Sequence, residues 1–163
     1  MKKIILVAVV ALFGFTMNAQ EFKAGINGAL PIGDAGDVAD FSIGLDLAYL
    51  WNVGESFDVG VASGFTTAFT KDITVLGNKV SVDDVQFLPI AGAARYNVSE
   101  DFFFGADLGY AVGINDGNDG GLYYRPKIGY NLTEKFSLNL SYTGIARDGN
   151  TWDTIGLGVE YGF

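Results

Sequence analysis

A chain of 163 residues suggests one domain, and 19 acidic residues against 10 basic ones give a net charge of −9. Nucleic-acid phosphates would repel such a chain. It has no Cys and no His, which removes disulfides, thiol chemistry, the usual general base and the commonest transition-metal ligand.

The chain opens on an export signal. Lys2 and Lys3 form a basic start, 4–15 is an apolar stretch of 12 residues, and Met17-Asn18-Ala19 sets a small residue before a cut ahead of Gln20. Twelve residues rise about 18 Å as a helix, short of a ~30 Å hydrocarbon core, so 1–19 is expected to be a cleaved leader and not an anchor. The mature domain, 20–163, keeps eight basic residues against 19 acidic ones, a net charge of −11. It contains no run of 18 apolar residues and no helical periodicity.

Its dominant period is two. Phe22-Lys23-Ala24-Gly25-Ile26-Asn27 alternates, as do Phe41-Ser42-Ile43-Gly44-Leu45-Asp46-Leu47 and Phe136-Ser137-Leu138-Asn139-Leu140-Ser141-Tyr142. The clearest run closes the chain, Ile155-Gly156-Leu157-Gly158-Val159-Glu160-Tyr161-Gly162-Phe163. Such alternation marks strands with one apolar and one polar face. Eight are predicted, at 22–30, 41–51, 57–66, 85–96, 102–114, 122–131, 136–145 and 152–163. Their lengths suit tilted membrane-spanning strands, which need about 9–11 residues.

The connections sort by length. Those at 31–40, 67–84, 115–121 and 146–151 are each longer than those at 52–56, 97–101 and 132–135. Long loops on one side and short turns on the other is the outer-membrane pattern, with both termini on the short-turn side. Within 67–84, residues 73–82 read as a β-hairpin about a Gly77-Asn78 turn. Its edges could pair with a surface partner's strand or merely cap the barrel mouth. The run Asn115-Asp116-Gly117-Asn118-Asp119-Gly120-Gly121 has oxygen ligands suited to Ca²⁺ but lacks the spaced bidentate Glu of an EF-hand, and reads better as a solvated loop.

The short turns repeat one another. Trp51-Asn52-Val53-Gly54-Glu55-Ser56-Phe57 recurs as Tyr96-Asn97-Val98-Ser99-Glu100-Asp101-Phe102 and as Tyr130-Asn131-Leu132-Thr133-Glu134-Lys135-Phe136. Asn and the small residue serve the turn. The flanking aromatics, Trp51, Phe57, Tyr96, Phe102, Tyr130 and Phe136, fall on the apolar face and predict a periplasmic girdle.

Which face meets lipid is decided by the polar one. It carries glycines such as Gly25, Gly60, Gly109 and Gly129, poor choices for a water-facing strand but suited to the narrow bore of eight strands. It also carries four cations, Lys23, Arg95, Arg125 and Lys127, against Asp46, Asp58, Asp107 and Glu160. Equal numbers in so acidic a chain predict an internal ion-pair network, because unpaired charges in a bore would cost several kcal/mol each. A proton or ion path through the same groups is the functional alternative.

These residues resemble the small outer-membrane β-barrel proteins related to OmpX and the OmpA barrel, often labelled porin-family proteins. Val159-Glu160-Tyr161-Gly162-Phe163 looks like that family's terminal-strand signal, and the stretches 87–96 and 125–130 are similar to its strands. The resemblance covers 20–163 and implies that the barrel-assembly machinery reads Tyr161 and Phe163. The fold supplies no function by itself.

The expectation is therefore a closed, antiparallel, eight-stranded transmembrane β-barrel, integral to the outer membrane, monomeric, without cofactor or catalytic residues. Its partners would be outer-membrane lipid and lipopolysaccharide, and its role structural or adhesive. Two other readings stand beside it: a small channel for ions or solutes, and a soluble periplasmic ligand-binding barrel.

Overall fold

A strand with one apolar face leaves its backbone edges unpaired, and lipid offers those edges no hydrogen bonds. Here the chain satisfies them by closing on itself. The computed structural model describes residues 20–163 except 72, 76–77, 81–82 and 148, with the backbone alone at 73–75 and 78–80; the expected leader lies outside the described residues. The strands are β1 (Gln20–Ile32), β2 (Ala39–Gly54), β3 (Phe57–Thr70), β4 (Ile73–Val75), β5 (Asn78–Val80), β6 (Val85–Asn97), β7 (Phe102–Gly113), β8 (Gly121–Asn131), β9 (Phe136–Arg147) and β10 (Asn150–Gly162). A short helix, α1 (Gly33–Val38), joins β1 to β2.

Eight of the strands form a closed antiparallel barrel in the order β1-β2-β3-β6-β7-β8-β9-β10, with β10 returning to β1. The register follows the apolar pattern: Ile26 lies opposite both Leu45 and Val159, and Val159 opposite Leu138. A slip of one residue would turn every side chain to the wrong face. Leu157 is 69 % exposed while Asp107 is 3 % exposed. The apolar face therefore points outward and the polar face inward, the arrangement of a transmembrane barrel. A soluble ligand-binding barrel needs the reverse, and that reading falls here.

Three expectations are corrected. The barrel strands run from 11 to 16 residues; six of the eight pass their predicted outer ends, while β6 starts at Val85 as predicted and β7 stops at Gly113, one residue short. The predicted loop 31–40 holds α1, and the predicted loop 146–151 is mostly strand, since Asn150 pairs with Arg147 and only 148–149 lie between. The sorting of connections by length fails at that point. Beyond Tyr142 and Ile155 the outward positions are Gly144, Ala146, Asp153 and Thr151, with no large apolar side chain, so alternation stops marking the strand while the backbone ladder runs on. The hairpin β4–β5 forms, but Val75 pairs with Asn78. Asn78 thus belongs to the β5 ladder and not to the turn, contrary to the predicted Gly77-Asn78 turn, and residues 76–77 lie outside the described residues.

The bore is filled, not hollow. A Cβ on Gly25 would lie 2.6 Å from the Val159 carbonyl oxygen, and one on Gly129 would enter the ring of Phe103. That ring is itself held, with the Arg95 guanidinium 3.8 Å above its centre. Gly129→Leu should therefore cost at least about 1–3 kcal/mol, the range for overpacking, in urea unfolding of the refolded barrel. Gly92→Ala is the control, because its Cβ would meet nothing closer than the Leu108 carbonyl at 3.8 Å; equal losses from both would contradict a tightly packed bore.

Candidate functional site

The described residues offer no catalytic constellation to build on, so the candidate site is the bore and its two rims. Period two places Arg125 and Lys127 on the inner face of β8, Asp107 on β7, Asp46 on β2, Arg95 on β6 and Glu160 on β10. Closure then brings opposite walls together. Arg125 donates to Asp46 through both terminal nitrogens, at 2.7 and 3.1 Å, and Asn27 donates to the same carboxylate at 2.8 Å. Arg95 meets Glu160 at 2.7 Å, with Asn139 donating to Glu160 at 3.1 Å. Lys127 sits 2.9 Å from Asp107 and 3.9 Å from Glu160.

In the barrel order β2 stands four places from β8, and β6 four places from β10. The Asp46–Arg125 and Arg95–Glu160 pairs are therefore struts across the full bore. The forked Arg125–Asp46 contact gives its strut direction as well as charge compensation, while Arg95 meets Glu160 through one terminal nitrogen. The voids among them are about 10 Å³ beside Arg125 and Lys127, and about 30 Å³ beneath Phe87 and Trp152. A single water needs about 10–15 Å³, so these spaces fit one or two waters and no hydrated ion.

Two of the eight predicted network residues pair otherwise than expected. Asp58 makes no ion pair among the described residues; it accepts from the amides of Asn52 and Asn97, at 2.9 and 2.8 Å, at the short-turn mouth. Lys23 pairs at 2.6 Å with Glu21, which sequence reasoning missed. Residues two apart on one strand share a face, and that spacing was the available signal. With Glu21 in place of Asp58 the bore still balances four cations with four anions.

At the short-turn rim the predicted aromatics all point outward. Phe57 lies opposite Tyr96, and Phe102 packs on Tyr130 with ring centres 4.9 Å apart. Phe136 packs on Tyr161, Tyr161 on Phe163, and Phe163 on Phe22. The terminal Tyr161 and Phe163 thus continue the band begun by the turns. The repeated turn residues are explained locally: Ser99 Oγ accepts from the Phe102 amide and Thr133 Oγ1 from the Phe136 amide. The backbone amides of Asn97 and Asn131 donate across to the preceding turn, at Ser56 O and Asp101 O, while the Asn52 side chain donates to Asp58.

The outer rim holds features the sequence reading did not assign. Phe41 and Phe69 pair on the outer face, and the Tyr142 hydroxyl donates to Asp153 at 2.7 Å. Inside, Phe87, Tyr123, Ile145 and Trp152 make an apolar plug. All four occupy polar-register positions, and that break in the alternation could have revealed it. The acidic loop 115–121 is knotted by its own amides: Asn115 Oδ1 accepts from the Gln86 amide and Asn118 Oδ1 from the Gly120 amide. Those oxygens are engaged, and no group of three Asp or Glu suited to a metal occurs among the described residues.

No protein-family model and no curated protein sequence matches the chain. Solved structures do. The attachment invasion locus protein Ail of Yersinia pestis aligns with a TM-score of 0.63 at 18 % identity, over 90 % of this chain and 100 % of that one. The N-terminal β-barrel domain of Pseudomonas aeruginosa OprF gives 0.54 at 13 % identity, over 88 % and 97 %. Neisserial surface protein A gives 0.52 at 16 % identity, over 90 % and 98 %. The fold is that of the small outer-membrane β-barrels. Within that small-barrel fold, strand number and closure are shared, while the struts and the plug are carried by this chain's own residues.

Proposed function

We propose that the protein is a non-enzymatic, monomeric barrel of the outer membrane, with its termini and its turns at 55–56, 98–101 and 132–135 on the periplasmic side. Its role is to stiffen the envelope and to present the β4–β5 hairpin to a surface partner. The observation that carries this reading is the pair of struts across the bore: a barrel cross-braced at its centre is built to stay closed, not to conduct. Lipid and lipopolysaccharide meet its apolar wall, and Tyr161 and Phe163 serve as the signal to the barrel-assembly machinery, with the leader 1–19 directing export.

Ail has been solved with the heparin analogue sucrose octasulfate. The outer loops here carry Asp34, Asp37, Asp83, Asp84, Asp116 and Asp119, which would repel a sulfated chain. A partner that adds a strand to the hairpin's edge suits them better. Two measurements test the proposal. In membrane fractions the protein should need detergent for release and should migrate differently in SDS before and after boiling. Added to a planar bilayer, it should give no conductance steps. Discrete steps would establish the small channel instead, and release without detergent would remove the membrane reading altogether.

A further inference from the structure

Between the ionic struts and the outside lies the apolar plug, and α1 sits on top of it. Ala35 is 1 % exposed and belongs to the same cluster as Phe87, Tyr123, Ile145 and Trp152. Six residues are too few to hold a helix by their own hydrogen bonds, and α1 has no side-chain cap at its start. Its entry residue, Gly33, adopts φ +56°, a backbone state that glycine reaches without strain.

Besides the burial of Ala35, α1 is tied down by polar bonds from Lys71, the residue following β3. The Lys71 amide donates to Val38 O at 2.8 Å, its ammonium donates to Gly36 O at 2.6 Å, and the same ammonium lies 3.5 Å from Asp40. The Lys71 side chain is 41 % exposed, so water competes for these bonds and the fastening is weak enough to undo. Lys71 also stands at the foot of the 71–84 excursion, beside the bond from the Thr70 amide to Asp84 at 3.3 Å.

We infer that α1 is a latched lid: Lys71 holds it over the outer mouth, and release of that latch opens the aromatic plug to the outside while the barrel below stays closed. This does not depend on the role proposed above. A closed barrel without any hairpin partner would keep the same lid.

The chain has two tryptophans, Trp51 in the girdle and Trp152, 9 % exposed, in the plug. In a Trp51→Phe background refolded into phosphatidylcholine vesicles, Trp152 alone reports on the lid. Acrylamide should quench it weakly in this parent and about threefold more strongly in Lys71→Met, as local opening admits the quencher. Lys71→Arg, which keeps the donors, should restore most of the shielding, and the unboiled SDS band should not move. Equal shielding in Lys71→Met and the parent would overturn the latch. Strong quenching in the parent would overturn the lid. If Lys71→Met does not reach the folded band, Lys71→Ala replaces it, with the same two readings.

Discussion

Replacing Glu160 by Gln should cost about 3–5 kcal/mol of folding free energy, the range for removing one partner of a buried ion pair. The carboxylate is 5 % exposed and takes the Arg95 guanidinium at 2.7 Å, the Asn139 amide at 3.1 Å and the Lys127 ammonium at 3.9 Å. Removing its charge leaves the Arg95 guanidinium buried without the anion it faces. Removing both charges is different. The double variant Arg95→Met with Glu160→Leu leaves no uncompensated ion, so it should be more stable than Glu160→Gln alone. Urea unfolding in lipid vesicles, followed by the unboiled SDS band, measures both. A Glu160→Gln loss under about 1 kcal/mol, the range of exposed ion pairs, would mean that the bore is wet and the struts are ornamental.

The reasons this network was only partly legible in the sequence are geometric. Alternation alone tells which side of the sheet Arg95, Arg125 and Glu160 occupy, because the side-chain period is two and the face is fixed by it. Partner choice depends on which strands end up opposite each other, and that follows from closure order and tilt, which no local pattern carries. Asp46 finds Arg125 only because β2 and β8 face one another across the ring. Asp58 was misassigned for a related reason: it is on the inner face, but at the mouth, where the Asn52 and Asn97 amides reach it first.

The outer end was read least well, and there the physics changes. Up to Tyr142 and Ile155 the outward residues must be apolar, so the alternation is loud. Above that level the outward face meets water and needs no apolar residues, while the inward face packs Ile145 and Trp152 into the plug as the β9–β10 ladder runs on. α1 had even less signal, since Gly33-Asp34-Ala35-Gly36-Asp37-Val38 contains two glycines and no strong run of helix formers. Its helix exists because Ala35 can bury itself on the plug, a tertiary reason invisible from within the segment.

Leu157→Arg should destabilise the barrel by about 2–4 kcal/mol in lipid vesicles, the cost of a cation on the lipid face at the bilayer midplane. Leu157 lies between Gly28 and Leu140 in the register, well away from the Tyr161–Phe163 aromatics on one side and Asp153 on the other. The same change at Thr151, near the outer tip of β10, should cost about 0–1 kcal/mol, because the penalty falls towards the interface. This depth dependence separates a membrane wall from every other explanation of an exposed leucine. In water, an arginine at a 69 % exposed position would be close to neutral, since surface changes away from special features stay within about 0.5 kcal/mol. A flat response along β10, with Leu157→Arg no worse than Thr151→Arg, would show that no hydrocarbon surrounds the middle of the strand. The inward placement of the struts would then need a different cause, because only an apolar exterior makes it favourable to turn the polar face of every strand toward the axis.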